Sequence, residues 1–251
     1  MNAHNHFADR GEPVLDDPEA ERTRQLENLA LGYQLFAAFR WGDMGDGHIT
    51  YRDPERDDHM WLLRHGVSFD RATAADMVLV APDGSAVDHA GEPARINLTA
   101  YYIHHPIHQA RPDVGSAAHT HTQWGTPLAA ERRVIDPVSQ ESTVFYDDVA
   151  LFDDEEVQII STDGGKRIAA ALGEKSSAVL ANHGLLTTGP TVAAAVGLFV
   201  MMERAAEVNM KATNALPISA ESAIRARTDL TANDTGWNIF RWLTKRHLGV
   251  D

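Results

Sequence analysis

The chain has 251 residues, 43% of them hydrophobic and 23% charged, with thirteen histidines, no cysteine and a formal net charge of −14 at neutral pH. Without thiols there are no disulfides, cysteine nucleophiles or thiolate metal sites, so any metal must be held by nitrogen and oxygen ligands. The acidic balance and the lack of a Lys/Arg cluster argue against nucleic-acid binding, and no apolar run reads as a membrane span or secretory signal, which leaves the expectation of a cytoplasmic enzyme-like protein.

Residues 1–15 are polar and unpatterned and are expected to be disordered, His4 and His6 included, with a single domain over 16–251. Asp17-Pro18-Glu19 predicts a helix start: the aspartate caps free N–H groups, proline fits the first turn, and acid favours the positive end of the dipole. Leu26, Leu29, Ala30, Tyr33, Phe36 and Ala37 recur at three- and four-residue spacing, a core-facing stripe that carries this helix to about residue 39. Glycines 42, 45 and 47 then introduce short strands joined by turns at His48–Arg52, Met60–Leu63 and Met77–Val80, the last closed by Pro82-Asp83-Gly84. A helix over 97–110 stops at Arg111-Pro112-Asp113, because proline disfavours helical geometry in the residue before it.

A strand carrying His119 and His121 follows. A short strand is expected at Val134-Ile135, then Val144-Phe145-Tyr146 and a charged loop. The acids of that loop, Asp147-Asp148 and Asp153-Asp154-Glu155-Glu156, read as solvated. A helix over 163–172 ends at Gly173, and a strand over 177–181 runs into Asn182-His183-Gly184, where glycine permits a turn or a close backbone approach. Gly189-Pro190 opens a helix from about 191 to 211 whose Met201 and Met202 read as core filler, with a helical extension beyond it.

Chemistry enters with His119-Thr120-His121. Residues two apart on a strand face the same way, so both imidazoles converge on one point, as a metal ion requires. His183 adds a third ring at a strand end. Three protein ligands with open positions describe a catalytic rather than a structural site, whose ion would polarise a carbonyl or carboxylate oxygen.

Arg111-Pro112-Asp113-Val114 leading into His119-Thr120-His121, then Asn182-His183-Gly184 before a helix, resembles the class II aldolase/adducin family over roughly residues 24–213. The resemblance implies a single three-layer α/β/α domain with a mostly antiparallel central sheet. It also implies a homotetrameric ring with active sites at subunit contacts, and one divalent metal per subunit on His119, His121 and His183. Departures from the aldolase pattern are informative. The glutamate that serves aldolases as ligand and acid/base, four residues before the position of His104, is Ala100 here. The family's Gly-Asn-x-Ser turn, serine pair and Pro-Ser-Gly loop are replaced by Gly47-His48-Ile49-Thr50, Leu98-Thr99 and Arg64-His65-Gly66.

Losing small phosphate-binding groups and gaining Arg64, His48 and His65 points to a carboxylate, which arginine can grip with two parallel hydrogen bonds. The sequence is similar to a branch of the family containing a decarboxylase of pyridine dicarboxylates and non-haem iron oxygenases acting on aromatic acids. His104 is expected beside the site in proton transfer or support, His105 in solvent, and His108 buried and satisfied. Glu141 is a candidate replacement acid/base or fourth ligand, and Tyr146 and Trp124 are candidate pocket walls. The expected function is a metal-dependent lyase, of decarboxylase or retro-aldol type, acting on a small aromatic carboxylate with the divalent metal as Lewis acid. An iron oxygenase on the same histidines is the first alternative, and a non-catalytic adducin-like module the second. Ligand type does not separate zinc, manganese and iron.

Overall fold

The computed structural model describes residues 12–250 apart from 14, 43, 155, 232 and 233. Eight strands form one sheet: β1 His48–Arg52, β2 Met60–Leu63, β3 Met77–Val80, β4 Ala86–Val87, β5 Ser116–Thr120, β6 Val149–Phe152, β7 Ser177–Leu180 and β8 Gly184–Gly189. Their spatial order is β4-β3-β2-β1-β5-β8-β7-β6. Every pairing is antiparallel except that of β6 with β7.

Strand alternation divides the sheet into two buried faces. Ile49, Tyr51, Ala118 and Leu185 join one core with helices α1 (Pro18–Ala38), α6 (Val192–Lys211) and α8 (Thr235–Leu248), where Leu29, Phe36, Phe199 and Phe240 pack. The opposite face is covered by α2 (Leu98–Ala110) and α5 (Thr162–Leu172), whose Ile103, Ile107, Ile168 and Leu172 meet Ala178, Leu180 and Leu186. Helices on both sides of a mostly antiparallel sheet make the three-layer α/β/α class expected from the sequence.

Local chemistry explains the main helix boundaries. Asp17 caps α1 by accepting from the Glu19 N–H, Asn97 caps α2 through the Thr99 N–H, and Thr191 caps α6 through the Ala194 N–H. Proline at 106 lies inside α2 and cannot return a hydrogen bond to the Tyr102 carbonyl. Gly165 of α5 packs against that carbonyl so closely that a Cβ would lie 1.8 Å from it, so the two helices cross backbone to side-chain-free backbone.

Several expectations are corrected. Val134-Ile135 is irregular, and Val144-Phe145-Tyr146 is the turn after a short helix, α4 (Gln140–Thr143). The charged segment contains strand β6, whose apolar Val149, Ala150 and Phe152 are buried between the acids on either side. His183-Gly184 leads straight into strand β8, and α3 (Gly125–Ala130) and α7 (Ala220–Thr231) complete the helices. Residues 1–11 and 14, with His4 and His6, lie outside the described residues. Glu12, expected in the disordered segment, is instead held by Gln25 and Thr191 side chains.

Candidate metal centre

His119 sits on β5, an interior strand of the sheet, and is 1% exposed. Its register partners are His48 on β1 and Leu186 on β8. Side chains directly opposite in an antiparallel pair share a face, so His48 and His119 both project toward the α2 layer. His121 lies one residue beyond the end of β5 and is exposed. His183 is placed by Asn182, whose φ of 56° is in the left-handed region, at the tight connection between β7 and β8.

These three rings converge. Ring centroids are 4.8 Å apart for His119 and His183, 4.9 Å for His121 and His183, and 5.5 Å for His119 and His121, with each pair near perpendicular. One nitrogen from each falls within 4.8 Å of the other two. Gly184 permits this approach, because a Cβ there would sit 3.3 Å from both His119 Cε1 and His121 Cδ2.

The donor set suits a divalent cation. His119 Nδ1 donates to the Leu185 carbonyl at 2.7 Å, which fixes the tautomer and leaves Nε2 as the ligand atom. Burial holds the His119 pKa well below the ordinary histidine value, and burial with the neighbouring His121 lowers that of His183 to about 4. Neutral imidazoles are the form that binds metal. Asp46 Oδ2 lies 3.5 Å from His121 Nδ1, the place of a carboxylate that orients a ligand ring.

Asp46 reaches this position because Gly47 has a φ of 117° and passes against β5, where a Cβ would lie 2.4 Å from Thr120 Oγ1. Thr120 in turn donates from its hydroxyl to the Asp46 carbonyl at 2.7 Å. The turn after His121 is fixed from below by Glu203 of α6. This 5% exposed carboxylate accepts from the Thr122 hydroxyl and from the Trp124 and Gly125 N–H groups.

A cavity of about 320 Å³ opens on the three histidines, bounded by Asp46, Gly47, His48, Asn97, Thr99, Val157, Gln158, Ile159 and Asn182. It shares Gly47, His48 and Asn97 with a larger cavity of about 770 Å³. The larger one combines an apolar wall of Tyr33, Trp41, Val67 and Phe69 with Arg64, His65 and Arg95. Arg64 stands 45% exposed with Asp76 at 3.4 Å. His65 is tied through its N–H to the Arg95 carbonyl at 2.8 Å.

The other sequence candidates fall elsewhere. His104 is completely buried behind His48 and lines neither cavity; its Nε2 is 3.0 Å from His48 Nδ1. His108 is buried with both nitrogens engaged, on Thr50 and the Val114 carbonyl. His105, expected in solvent, is 4% exposed and packs on Tyr101, because α2 turns this face onto the sheet. Glu141 is exposed on α4 beside Val200, Met201, Arg204 and Trp242, in a groove that none of the three histidines lines. Within one chain it is therefore separate from the metal centre. Tyr146 gives its carbonyl to Arg227 and lines neither cavity, and Trp124 packs under Lys211.

Ala100 is wholly buried against Met60, Leu62, Val78 and Val80, an apolar setting with no place for a carboxylate. Asp46 is thus the one acid among the described residues lining the histidine cavity. No motif in the sequence marks it, nor Arg95 or Asn97. Asp46 was hidden among turn-forming glycines, and Asn97 was read only as part of a helix start.

Comparison with known proteins identifies the family. Residues 27–210 match the class II aldolase and adducin N-terminal domain. The chain is 33% identical over 236 residues to a 4-hydroxy-3-prenylphenylpyruvate oxygenase/4-hydroxy-3-prenylbenzoate synthase of Streptomyces roseochromogenus subsp. oscitans, covering 92% of this chain and 84% of that protein. It is 32% identical to decarboxylase NovR of Streptomyces niveus, over 96% and 90% of the two chains. Among solved structures it is similar to an L-fuculose 1-phosphate aldolase from Glaciozyma antarctica PI12, with a TM-score of 0.82, 30% identity, and 95% and 96% coverage.

Proposed function

Because this chain belongs to the class II aldolase and adducin family, we propose that it is a metal-dependent lyase that decarboxylates a small aromatic carboxylate. The observation that carries the reading is the shared wall between the three-histidine cavity and a larger chamber that is both aromatic and cationic. His119, His121 and His183 would hold one zinc, manganese or iron ion. When bound, the ion supplies Lewis-acid polarisation of a carboxylate or neighbouring carbonyl oxygen.

The chain's own residues divide the remaining work. Arg64 and Arg95 grip an anionic end, and Arg makes paired, charge-assisted bonds to carboxylate. Tyr33, Trp41 and Phe69 receive the apolar ring and exclude water. Asp46, beside His121, supplies the carboxylate of the site in place of the missing glutamate, while His104 acts through His48. The names of two relatives, a decarboxylase and an oxygenase/synthase of a prenylated hydroxybenzoate series, support an aromatic acid as substrate. The reading also carries a homotetramer, from the family resemblance, and a small-molecule partner. No helix among the described residues is long and apolar enough to cross a membrane.

An oxygenase is the second reading, favoured by a relative of that name and by an all-histidine set that iron accepts as readily as zinc. A purely assembling role would leave the converging histidines and their cavity without a use. Protein loaded in turn with Zn²⁺, Mn²⁺ and Fe²⁺ should be incubated with aromatic carboxylates, with and without dioxygen, and CO₂ release followed. Release without dioxygen supports the lyase. Turnover only with iron and dioxygen replaces it with the oxygenase, and no turnover with any metal overturns both.

A further inference from the structure

Behind the metal centre lies a buried hydrogen-bonded row. The Val114 carbonyl accepts from His108 Nδ1 at 3.2 Å, His108 Nε2 meets Thr50 Oγ1 at 2.9 Å, Thr50 Oγ1 meets His104 Nδ1 at 2.9 Å, and His104 Nε2 meets His48 Nδ1 at 3.0 Å. A carbonyl can only accept, and each neutral imidazole has one donor and one acceptor. The direction of every bond therefore follows from the first. His108 donates from Nδ1, so its Nε2 accepts the Thr50 hydroxyl proton. Thr50 then accepts from His104 Nδ1, and His104 Nε2 accepts from His48 Nδ1. What remains is His48 Nε2, a bare lone pair, on a side chain that forms the wall between the two cavities.

The geometry points to His48 as a specificity-determining hydrogen-bond acceptor that selects a hydroxyl on the substrate, next to the group held at the metal centre. The row lies out of water along its whole length, with His48, His104 and His108 all buried. His48 stands beside the three-histidine group, its ring centroid 4.9 Å from that of His119, but is not one of the three whose nitrogens lie within 4.8 Å of one another. A lone pair repels carboxylate oxygens and rewards an O–H, which leaves the carboxylate to Arg64 and Arg95 and moves His48 out of the anion site where sequence reading put it. A buried acceptor left without its donor is costly, so the preference is for a hydroxyl over an ether of similar shape.

This inference rests on the aromatic carboxylate reading above. Its test is equilibrium binding to the zinc-loaded protein of 2-, 3- and 4-hydroxybenzoate, each against its methoxy ether. At least one hydroxybenzoate should bind about ten-fold or more tightly than its ether, and His48→Phe should level the pair. Long-range ¹H–¹⁵N correlation should show the wild-type His48 protonated on Nδ1 and bare on Nε2, and should show both tautomers in the isosteric Thr50→Val variant, where the row is cut. That arm stands even if His48→Phe does not fold. Binding without a hydroxyl preference, or a wild-type His48 protonated on Nε2, overturns the role of His48 alone. Failure of every benzoate to bind overturns the substrate reading as well.

Discussion

His119 donates its Nδ1 proton to the backbone carbonyl of Leu185, 2.7 Å away across the β5–β8 pairing. The bond ties a proposed ligand ring to the sheet itself, so the candidate metal centre inherits the rigidity of the core strands. His121, beyond the strand end, lacks that anchorage.

Removing the two proposed ligands should therefore have different costs. His119→Ala removes a buried ring and its hydrogen bond to the sheet and should lose about 1–3 kcal/mol of stability. His121→Ala, at an exposed position, should change stability by less than about 0.5 kcal/mol. Both should weaken zinc binding by more than about 100-fold, read by chelator competition alongside urea unfolding. Undiminished zinc affinity in either variant would remove that histidine from the site.

Glu203 holds the turn that aims His121, using three accepted hydrogen bonds to a carboxylate nine-tenths withdrawn from water. In Glu203→Gln the amide NH₂ is forced against N–H or O–H donors. The variant should be destabilised by about 2–4 kcal/mol and should bind metal about ten-fold more weakly, although it touches no ligand. Wild-type metal affinity in a folded Glu203→Gln protein would show that the turn needs no such support.

Acid should unfold the metal-free protein through its buried histidines. His48, His104 and His119 are held well below their ordinary value of 6.5 by burial, His108 is lowered to about 3 and His183 to about 4. Below pH 6.5 the unfolded chain binds these protons and the folded chain does not, so stability rises with pH across that window. Each histidine contributes a slope of up to about 1.4 kcal/mol per pH unit. Urea unfolding of chelated protein should be flat in these groups above about pH 7.5 and weaken steadily from pH 6.5 toward 4. Replacing His108 by Leu should make that slope shallower by up to about 1.4 kcal/mol per unit. An unchanged slope would mean that His108 already titrates freely when folded.

Much of this centre was legible in sequence because its parts are local. His119-Thr120-His121 is contiguous at the end of one strand, and β1, β2 and β3 announce themselves by short apolar runs between turn residues. The row from His48 to His108 was not legible as a unit, since it depends on the register that sets β1 under α2. β8 was missed because Gly184 and Gly189 bracket it and look like turns. In fact Gly184 is there for the His119 and His121 rings to close in. Asp46 needed the path of the loop across Thr120 before it could be placed at all.

Arg64 and Arg95 face the same chamber, and the partner of Arg64, Asp76, is at 3.4 Å on a half-exposed surface, a pair of little worth. Arg64→Ala and Arg95→Ala should each raise the dissociation constant of 4-hydroxybenzoate by about ten- to a hundred-fold, roughly 1.4–2.8 kcal/mol. Zinc content should stay at the wild-type level. If binding falls only together with zinc content, the arginines act on the fold and not on the ligand.

Restoring the aldolase glutamate tests whether the chain is an aldolase with one residue missing. Ala100 has no exposed surface and sits among Met60, Leu62, Val78, Val80 and Tyr101. His104, one turn further along α2, already uses both nitrogens, on Thr50 and His48, so it has no proton to offer a carboxylate at 100. Ala100→Glu therefore buries an acid without a partner and should cost more than about 3 kcal/mol at pH 8. The loss should shrink toward pH 5, because protonation removes the buried charge. Urea unfolding at the two pH values reads this directly. A variant as stable as wild type at pH 8, cleaving a sugar phosphate, would mean that position 100 opens on the metal centre and that the surroundings of His48 are still those of an aldolase.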